Sequence, residues 1–439
     1  MYIGDNLTAS QKHELITTTI EAANGIADDF LGDSNASYLR EYLTFDDVTI
    51  EPRPLMVVSS RTDVDPTVPY GHGLLQRPHL PILGASMEFM RERFAINLYN
   101  AGGLHILPRV GLSKQERLDM LKAVVSAGAK AGIAVGIKDD KSFIEDVLSI
   151  DKTLPVISVD VAHGAAYHVF KYVLDTIVPS ISHNTSTSII LGNVGSLAGY
   201  VSIDLFSYIL GINHRMLAKV GVGPGAACTT RINTGVGVGQ FSLIKVIDTY
   251  RKSLLQEISN DGSFILKNAI EDVVLKMLST TADGMSNKSL QQLINSVGMS
   301  TSHRGIKVIS DGGVEKPGDF VKALAAGADY VMMGKFFVSP DFSGEFIEKE
   351  GKKYFTYYGM ASKKAKNGRD DYVEGAVLNV PVRWKTTEDA VKALEYGLRS
   401  AMTYSDSVTL SNFKDLVRIV RNTFSSINEG GPRGNLIDS

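Results

Sequence analysis

A (β/α)8 barrel is the fold the sequence predicts, and three observations predict it. Short runs of β-branched and small apolar residues recur eight times, about 20–35 residues apart with one exception. A helical stretch follows each run. The runs are continuous rather than alternating in polarity, as parallel strands buried on both faces should be. An open, doubly wound sheet satisfies the same pattern and stays open at this stage.

Residues 1–42 come first and read as a polar, helical N-terminal extension. Ser10 is placed to cap a helix from Gln11, with Glu14 in the capping-box position. The strand runs then follow as Pro81–Gly84, Gly103–Leu107, Gly132–Gly136, Val156–Asp160, Ser188–Gly192, Ala218–Gly221, Lys307–Ser310 and Asp329–Met333. The exception in spacing is the stretch 222–306, far longer than one crossover needs. Its surplus, roughly 254–304, holds amphipathic helical segments (Asn268–Leu278 and Leu290–Val297) and reads as a helical insertion. The catalytic barrel is thus expected over 43–427. The tail 428–439 is rich in Gly and polar residues and reads as flexible.

Composition narrows the function classes. The 439 residues are 44% hydrophobic, enough for one large core. A formal net charge of −3 without a Lys/Arg-rich run argues against a nucleic-acid partner. One cysteine excludes an internal disulfide framework and suits a reducing compartment. No apolar run approaches the roughly 20 residues that span a bilayer, and no secretory signal opens the chain. The expectation is a cytoplasmic protein without a membrane partner.

Barrel active sites lie at the C-terminal strand ends. After the sixth run comes Gly221-Val-Gly-Pro-Gly-Ala-Ala-Cys-Thr-Thr-Arg231, then Thr234-Gly-Val-Gly-Val-Gly239. Closely spaced glycines let backbone N–H and C=O groups approach a ligand or ion. Cys228, with Thr229, Thr230 and Arg231 beside it, reads as a nucleophile or as a small residue beneath a turn. The last two runs end in Asp311-Gly312-Gly313 and Gly334-Lys335, where barrels commonly bind phosphate; Asp311 could accept from a ribose diol. Asp160 and His163 end the fourth run and Asn193 the fifth, as ligands or as satisfied turn residues. The stretch from Tyr357 to Gly375 reads as a mobile loop that could close and deliver Glu374, or as a solvated surface loop. No His, Cys or carboxylate cluster has zinc or magnesium spacing.

Taken together these segments resemble the inosine-monophosphate dehydrogenase and guanosine-monophosphate reductase family, from about Leu43 to Asp406. The specific signature is Gly-Pro-Gly-x-x-Cys-Thr-Thr-Arg, supported by Leu43-Thr-Phe-Asp-Asp47, Gly192-Asn-Val, Ser310-Asp-Gly-Gly313, Ala325-Ala-Gly-Ala328 and Tyr358-Gly-Met360. The resemblance implies a homotetrameric barrel, a nicotinamide cofactor and a covalent bond from Cys228 to purine C2. The reductase branch is the closer one. Between Leu107 and Gly132 there is no room for the dehydrogenase's regulatory module, and Arg369 is followed by Asp370 rather than the dehydrogenase's Tyr. A dehydrogenase lacking that module (IMP to XMP with NAD) and a non-catalytic nucleotide-binding regulator are the alternatives.

Carried over residue by residue, the resemblance makes Cys228 the nucleophile, with Thr230 and Glu374 moving the proton that lets ammonia leave. Ala226, Asp311, Gly312, Gly313, Gly334, Lys335, Gly359, Met360, Ala361 and Gly375 would surround the guanine nucleotide. Ser60, Arg61, Arg109, Asp160, Val161, Ala162, Val222, Gly223, Ser400 and Thr403 would surround NADPH. Gly223, Gly225, Cys228 and Arg231 would hold a monovalent cation, potassium by the chemistry of carbonyl donors. Two departures stand out. The family's phosphate-binding serine is Ala226 here, and Lys335 stands where relatives carry serine or glycine. Lys335 is therefore expected to take over the phosphate, or to point into solvent.

Overall fold

The barrel closes. A computed structural model describes residues 7–31, 41–183, 186–260, 273, 305–360, 362 and 375–430. Strand β1 (Val48–Glu51) precedes eight parallel strands: β2 (Ile82–Gly84), β3 (Leu104–Leu107), β4 (Gly132–Val135), β5 (Val156–Asp160), β6 (Ser188–Val194), β7 (Met216–Val220), β8 (Lys307–Asp311) and β9 (Tyr330–Met333). They pair in chain order and β2 pairs back to β9, which excludes the open-sheet alternative. All eight lie within two residues of the runs read from the sequence.

Side chains alternate along each strand, so every second residue faces the barrel axis. Leu83, Leu104, Ile106, Ala134, Val156, Ile190, Leu217, Ile309, Tyr330 and Met332 form one buried cluster that fills the interior. The opposite faces join the core beneath the surrounding helices. Helix Leu197–Ile209 is apolar nearly all round and buried nearly throughout. The reason is the N-terminal helix Ala9–Leu31, which packs across its outer side. From this helix, Asp204 accepts from the Ile306 N–H at 3.0 Å and the Tyr200 hydroxyl donates to the Ile306 carbonyl at 2.7 Å, setting the entry to β8.

Two expectations need correction. The N-terminal helix is capped by Thr8, not Ser10. Thr8 N–H donates to Gln11 Oε1 at 2.7 Å and Gln11 N–H to Thr8 Oγ1 at 3.3 Å, because Gln11 lies three residues on, whereas Glu14 lies four beyond Ser10. The segment read as a loop from Tyr357 begins inside a strand. Strands β10 (Phe346–Lys349), β11 (Lys352–Tyr358) and β12 (Val377–Pro381) form an antiparallel sheet, with β13 (Arg418–Arg421) pairing separately with β1. Helix Phe424–Glu429 crosses from the expected barrel region into the first two residues of the segment 428–439. Residues 431–439, the segments Asn268–Leu278 and Leu290–Val297 apart from Val273, and Ala361 and Glu374 lie outside the described residues.

Candidate active site

The inward series continues past the apolar layers into charge. Two residues beyond the inward Leu217 comes Lys219, and two beyond Ile309 comes Asp311; Asp160 and Gly192 occupy the matching places on β5 and β6, paired with each other in register. The Lys219 ammonium is buried and donates to Asp311 Oδ2 at 2.9 Å and to Asn193 Oδ1; it also lies 3.2 Å from Asp160 Oδ1. Burial disfavours its charge, but Asp311 and Asp160 outweigh burial and raise its pKa above the ordinary lysine value. Burial likewise pushes the Asp160 carboxyl up, and Lys219 and Arg109 more than reverse it. Gly192 makes room for this: a Cβ there would sit 2.6 Å from Lys219 Cβ.

Above this floor lies the cysteine turn. Cys228 N–H donates to the Gly225 carbonyl at 3.0 Å, and the thiol donates to Thr230 Oγ1 at 3.1 Å. Cys228 is half-buried and bridges Gly375, while Ala376 N–H donates to the Ala227 carbonyl at 2.9 Å. Gly359 in turn donates to the Ala376 carbonyl at 3.1 Å. The cysteine turn and both ends of the Gly359–Gly375 segment are thereby laced together. Ala226 is exposed and Met360 half-buried on either side of this lacing. Arg231 donates from Nε to the Val222 carbonyl at 3.2 Å and from Nη2 to that of Val238, so its guanidinium braces the loop.

The expected phosphate end assembles beside it. Gly312 and Gly313 adopt φ of +88° and +80°. A Cβ on Gly312 would come within 3.0 Å of Gly225 N, so the two glycine turns pack backbone to backbone. Gly334 precedes the short 3₁₀ turn Lys335–Phe337. The Lys335 ammonium donates to Glu315 Oε1 at 2.7 Å, and that bond holds the Glu315 pKa below its usual value. Tyr357, buried at the end of β11, brings its hydroxyl to Gly334 and Lys335; burial first, then the charge of Asp311, raises its pKa.

Of the residues expected around a dinucleotide, Val222 and Gly223 lie on the cysteine loop against Arg231 and the others form two clusters. Arg109 donates from Nε and Nη2 to the Asp160 carbonyl at 3.1 and 2.6 Å. Close by, Asn193 N–H donates to the Val161 carbonyl at 2.9 Å and Val161 N–H to that of Gly192 at 3.1 Å, while Ala162 and His163 are exposed at the rim. Elsewhere, Arg61 donates to the Tyr396 hydroxyl at 2.6 Å and stacks over its ring. Tyr396 lies on helix Thr387–Tyr404, which also carries Ser400 and Thr403; both hydroxyls bond back to that helix. Ser60 caps the 3₁₀ turn Arg61–Asp63. Among the described residues no hydrogen bond or ion pair joins the two clusters.

Of the groups expected around a monovalent cation, the Gly225 carbonyl accepts from Cys228 N–H at 3.0 Å, and the Arg231 side chain is engaged with the Val222 and Val238 carbonyls. Among the described residues no group of three His, Cys, Asp or Glu could hold a metal ion.

Sequence reasoning missed Lys219, Tyr357 and Ser86, whose hydroxyl donates to Asp160 Oδ2 at 3.2 Å. For Lys219 a signal existed: it is a lysine inside an otherwise apolar barrel run.

The model of the IMP dehydrogenase / GMP reductase domain matches residues 42–286 and 281–433. The chain is 28% identical over 387 residues to a GMP reductase of Exiguobacterium sp., covering 87% of this chain and 97% of that one. It is 27% identical to a GMP reductase of Ligilactobacillus salivarius, covering 82% and 90%, and 25% identical to a GMP reductase of Bacillus subtilis, covering 86% and 95%.

Proposed function

The chain belongs to the IMP dehydrogenase / GMP reductase family, and from that premise we propose that it reduces a guanine nucleotide to a hypoxanthine nucleotide with NADPH. The observation that carries the reading is the Cys228 thiol held 3.1 Å from the Thr230 hydroxyl, on a turn bridged to Gly375. In this reading the Cys228 sulfur adds to purine C2 and the 2-amino group departs as ammonia. Amide ion is too basic to leave, so a proton must reach that nitrogen. Thr230 supplies it through its hydroxyl, with Glu374, the residue before Gly375, as the reservoir. A reduced nicotinamide, held beside Arg109 and Asp160, would supply the hydride needed at C2.

The remaining residues position and bind. Asp311 takes the nucleotide's ribose diol, and Gly312, Gly313, Gly334 and Lys335 take the phosphate. Arg109, bonded to the Asp160 carbonyl, orients the dinucleotide by charge and geometry; its guanidinium does not deprotonate and so moves no proton. Carbonyls of Gly223, Gly225 and Cys228 would hold potassium and stiffen the turn.

Mixing the protein with NADPH and GMP and following the reduced nicotinamide band tests the reading. Oxidation by the wild type is expected. Cys228→Ala should bring turnover below detection while GMP binding, measured by calorimetry, stays within about threefold. Unchanged turnover in that variant overturns the nucleophile. Reduction of NAD with IMP selects the dehydrogenase direction instead, and no redox change with any purine nucleotide selects a binding protein.

A further inference from the structure

We propose that Lys219 is the positioning residue for both halves of the site, holding Asp311 for the nucleotide and Asp160 for the dinucleotide, so that its loss weakens both ligands together. The proposal rests on the roles given above to those two carboxylates. Lys219 itself is assigned no role by the family resemblance.

The argument begins with stoichiometry. An ammonium has three N–H donors and no acceptor. Here it meets three oxygens: Asp311 Oδ2 at 2.9 Å, Asp160 Oδ1 at 3.2 Å and Asn193 Oδ1. These come from β8, β5 and β6, while Lys219 rises from β7, so a single cation ties four adjacent strand ends. With all three donors used, Lys219 has none left for a ligand and must act through its partners. It is also no proton shuttle, since its two carboxylates keep it charged.

The surroundings fit that role. Gly192 leaves the space its stem occupies. Asp160 has other neighbours, the Arg109 charge and the Ser86 hydroxyl. Among the described residues Asp311 has no second cation within ion-pair distance, and Tyr357 faces it as a neutral phenol. Without Lys219, Asp311 would have no cation within ion-pair distance among the described residues, and Asp160 would keep only the Arg109 charge. One would then take up a proton at low pH and cease to accept from a ribose hydroxyl.

Lys219→Met tests this. The variant is first checked for folding by circular dichroism, and Michaelis constants for GMP and NADPH are then measured from pH 6 to 9. Both constants are expected to rise about tenfold or more at neutral pH, with turnover number changing less, and both should recover as pH increases. Wild-type constants should vary less over that range. A rise in one constant alone, or a loss independent of pH and confined to the turnover number, overturns the proposal.

If the methionine variant does not fold, Lys219→Arg decides. A planar fork cannot match three diverging acceptors, so both constants should rise together by about threefold or more. A rise in one alone or in neither overturns the proposal. If the wild type itself fails to oxidise NADPH with GMP, the functional reading has failed. The Lys219 proposal is then judged separately, by calorimetric binding of GMP and of NADPH to wild type and variant, with the same joint loss expected and the same single-ligand loss overturning it.

Discussion

At the scale of single residues, the charge at position 335 bears on how a phosphate would be held. Lys335 is about one-quarter exposed and Glu315 about half exposed, so their ion pair is worth at most about 1 kcal/mol. A bound phosphate makes a charge-assisted bond of about 1.5–3 kcal/mol and should draw the lysine from Glu315. Arg383 donates to the Glu315 carbonyl at 3.1 Å and lines the same cleft as Lys335, which adds positive potential there. We expect Lys335→Ala to raise the Michaelis constant for GMP about tenfold or more and to bring guanosine and GMP binding closer together. Glu315→Gln should do the opposite and lower that constant by about two- to fivefold, because the competing carboxylate is gone. Steady-state kinetics on both variants, with guanosine as the phosphate-free control, checks the pair. If Lys335→Ala leaves the preference for GMP over guanosine intact, Lys335 is not the phosphate ligand.

At the scale of elements, the antiparallel sheet β10–β12 decides how the cysteine turn is held. Residues Glu350 and Gly351 both have positive φ, which supplies the tight hairpin between β10 and β11. The sheet is fastened by Phe355, fully buried with ring centroids 5.0 Å from Phe89, 5.4 Å from Phe342 and 5.0 Å from Phe346. Gly359 follows β11 and Gly375 precedes β12; Gly375 bridges Cys228, and Gly359 reaches the turn through Ala376, whose N–H donates to the Ala227 carbonyl. Phe355→Ala should therefore cost about 3–5 kcal/mol of stability, read by urea titration. It should also reduce turnover more than nucleotide binding, because the anchor lost is the one behind the cysteine turn. Phe355→Leu should lose less of both. An alanine variant with wild-type turnover would show that the sheet does not position the site.

At the scale of the whole molecule, acid sensitivity should follow from the buried histidine of β3. His105 is fully buried, meets Phe94 edge-on and bonds the Met90 carbonyl at 2.7 Å through Nε2. Burial pushes its pKa down from 6.5 to about 4, against the pull of backbone bonds. The unfolded chain therefore binds a proton below about pH 6.5 that the folded protein refuses until about pH 4. Stability should fall across that window, by on the order of 3 kcal/mol in total. Asp329 sits on the other side of this range. Burial would raise its pKa, but Arg251 and Lys414 outweigh it and hold the carboxyl low, so its contribution is lost only at stronger acid. Urea titrations at pH 7.0, 5.5 and 4.5 should show the decline, and His105→Gln should flatten it. An equal slope in the variant would assign the acid sensitivity elsewhere.

What the amino-acid sequence determined by itself was local or periodic. Continuous apolar runs at crossover spacing specified eight strands, and glycines at their ends marked the turns where Cys228, Asp311 and Lys335 stand. Each of these can be read within a window of some ten residues, since propensity and period act at that range. Closure of the barrel, by contrast, is a pairing between β2 and β9, and only the folded chain sets which inward residues meet in its top layer. Lys219 and Asp311 are 92 residues apart, and a lysine within an apolar run carries no statement of its partners until register and tilt bring them together. The same holds for the apolar circumference of Leu197–Ile209, explained by a helix near the N-terminus, and for Tyr357, which reaches Gly334 only because β11 is anchored on Phe89. Long-range contact decided these positions, because burial and charge compensation depend on neighbours supplied by other elements.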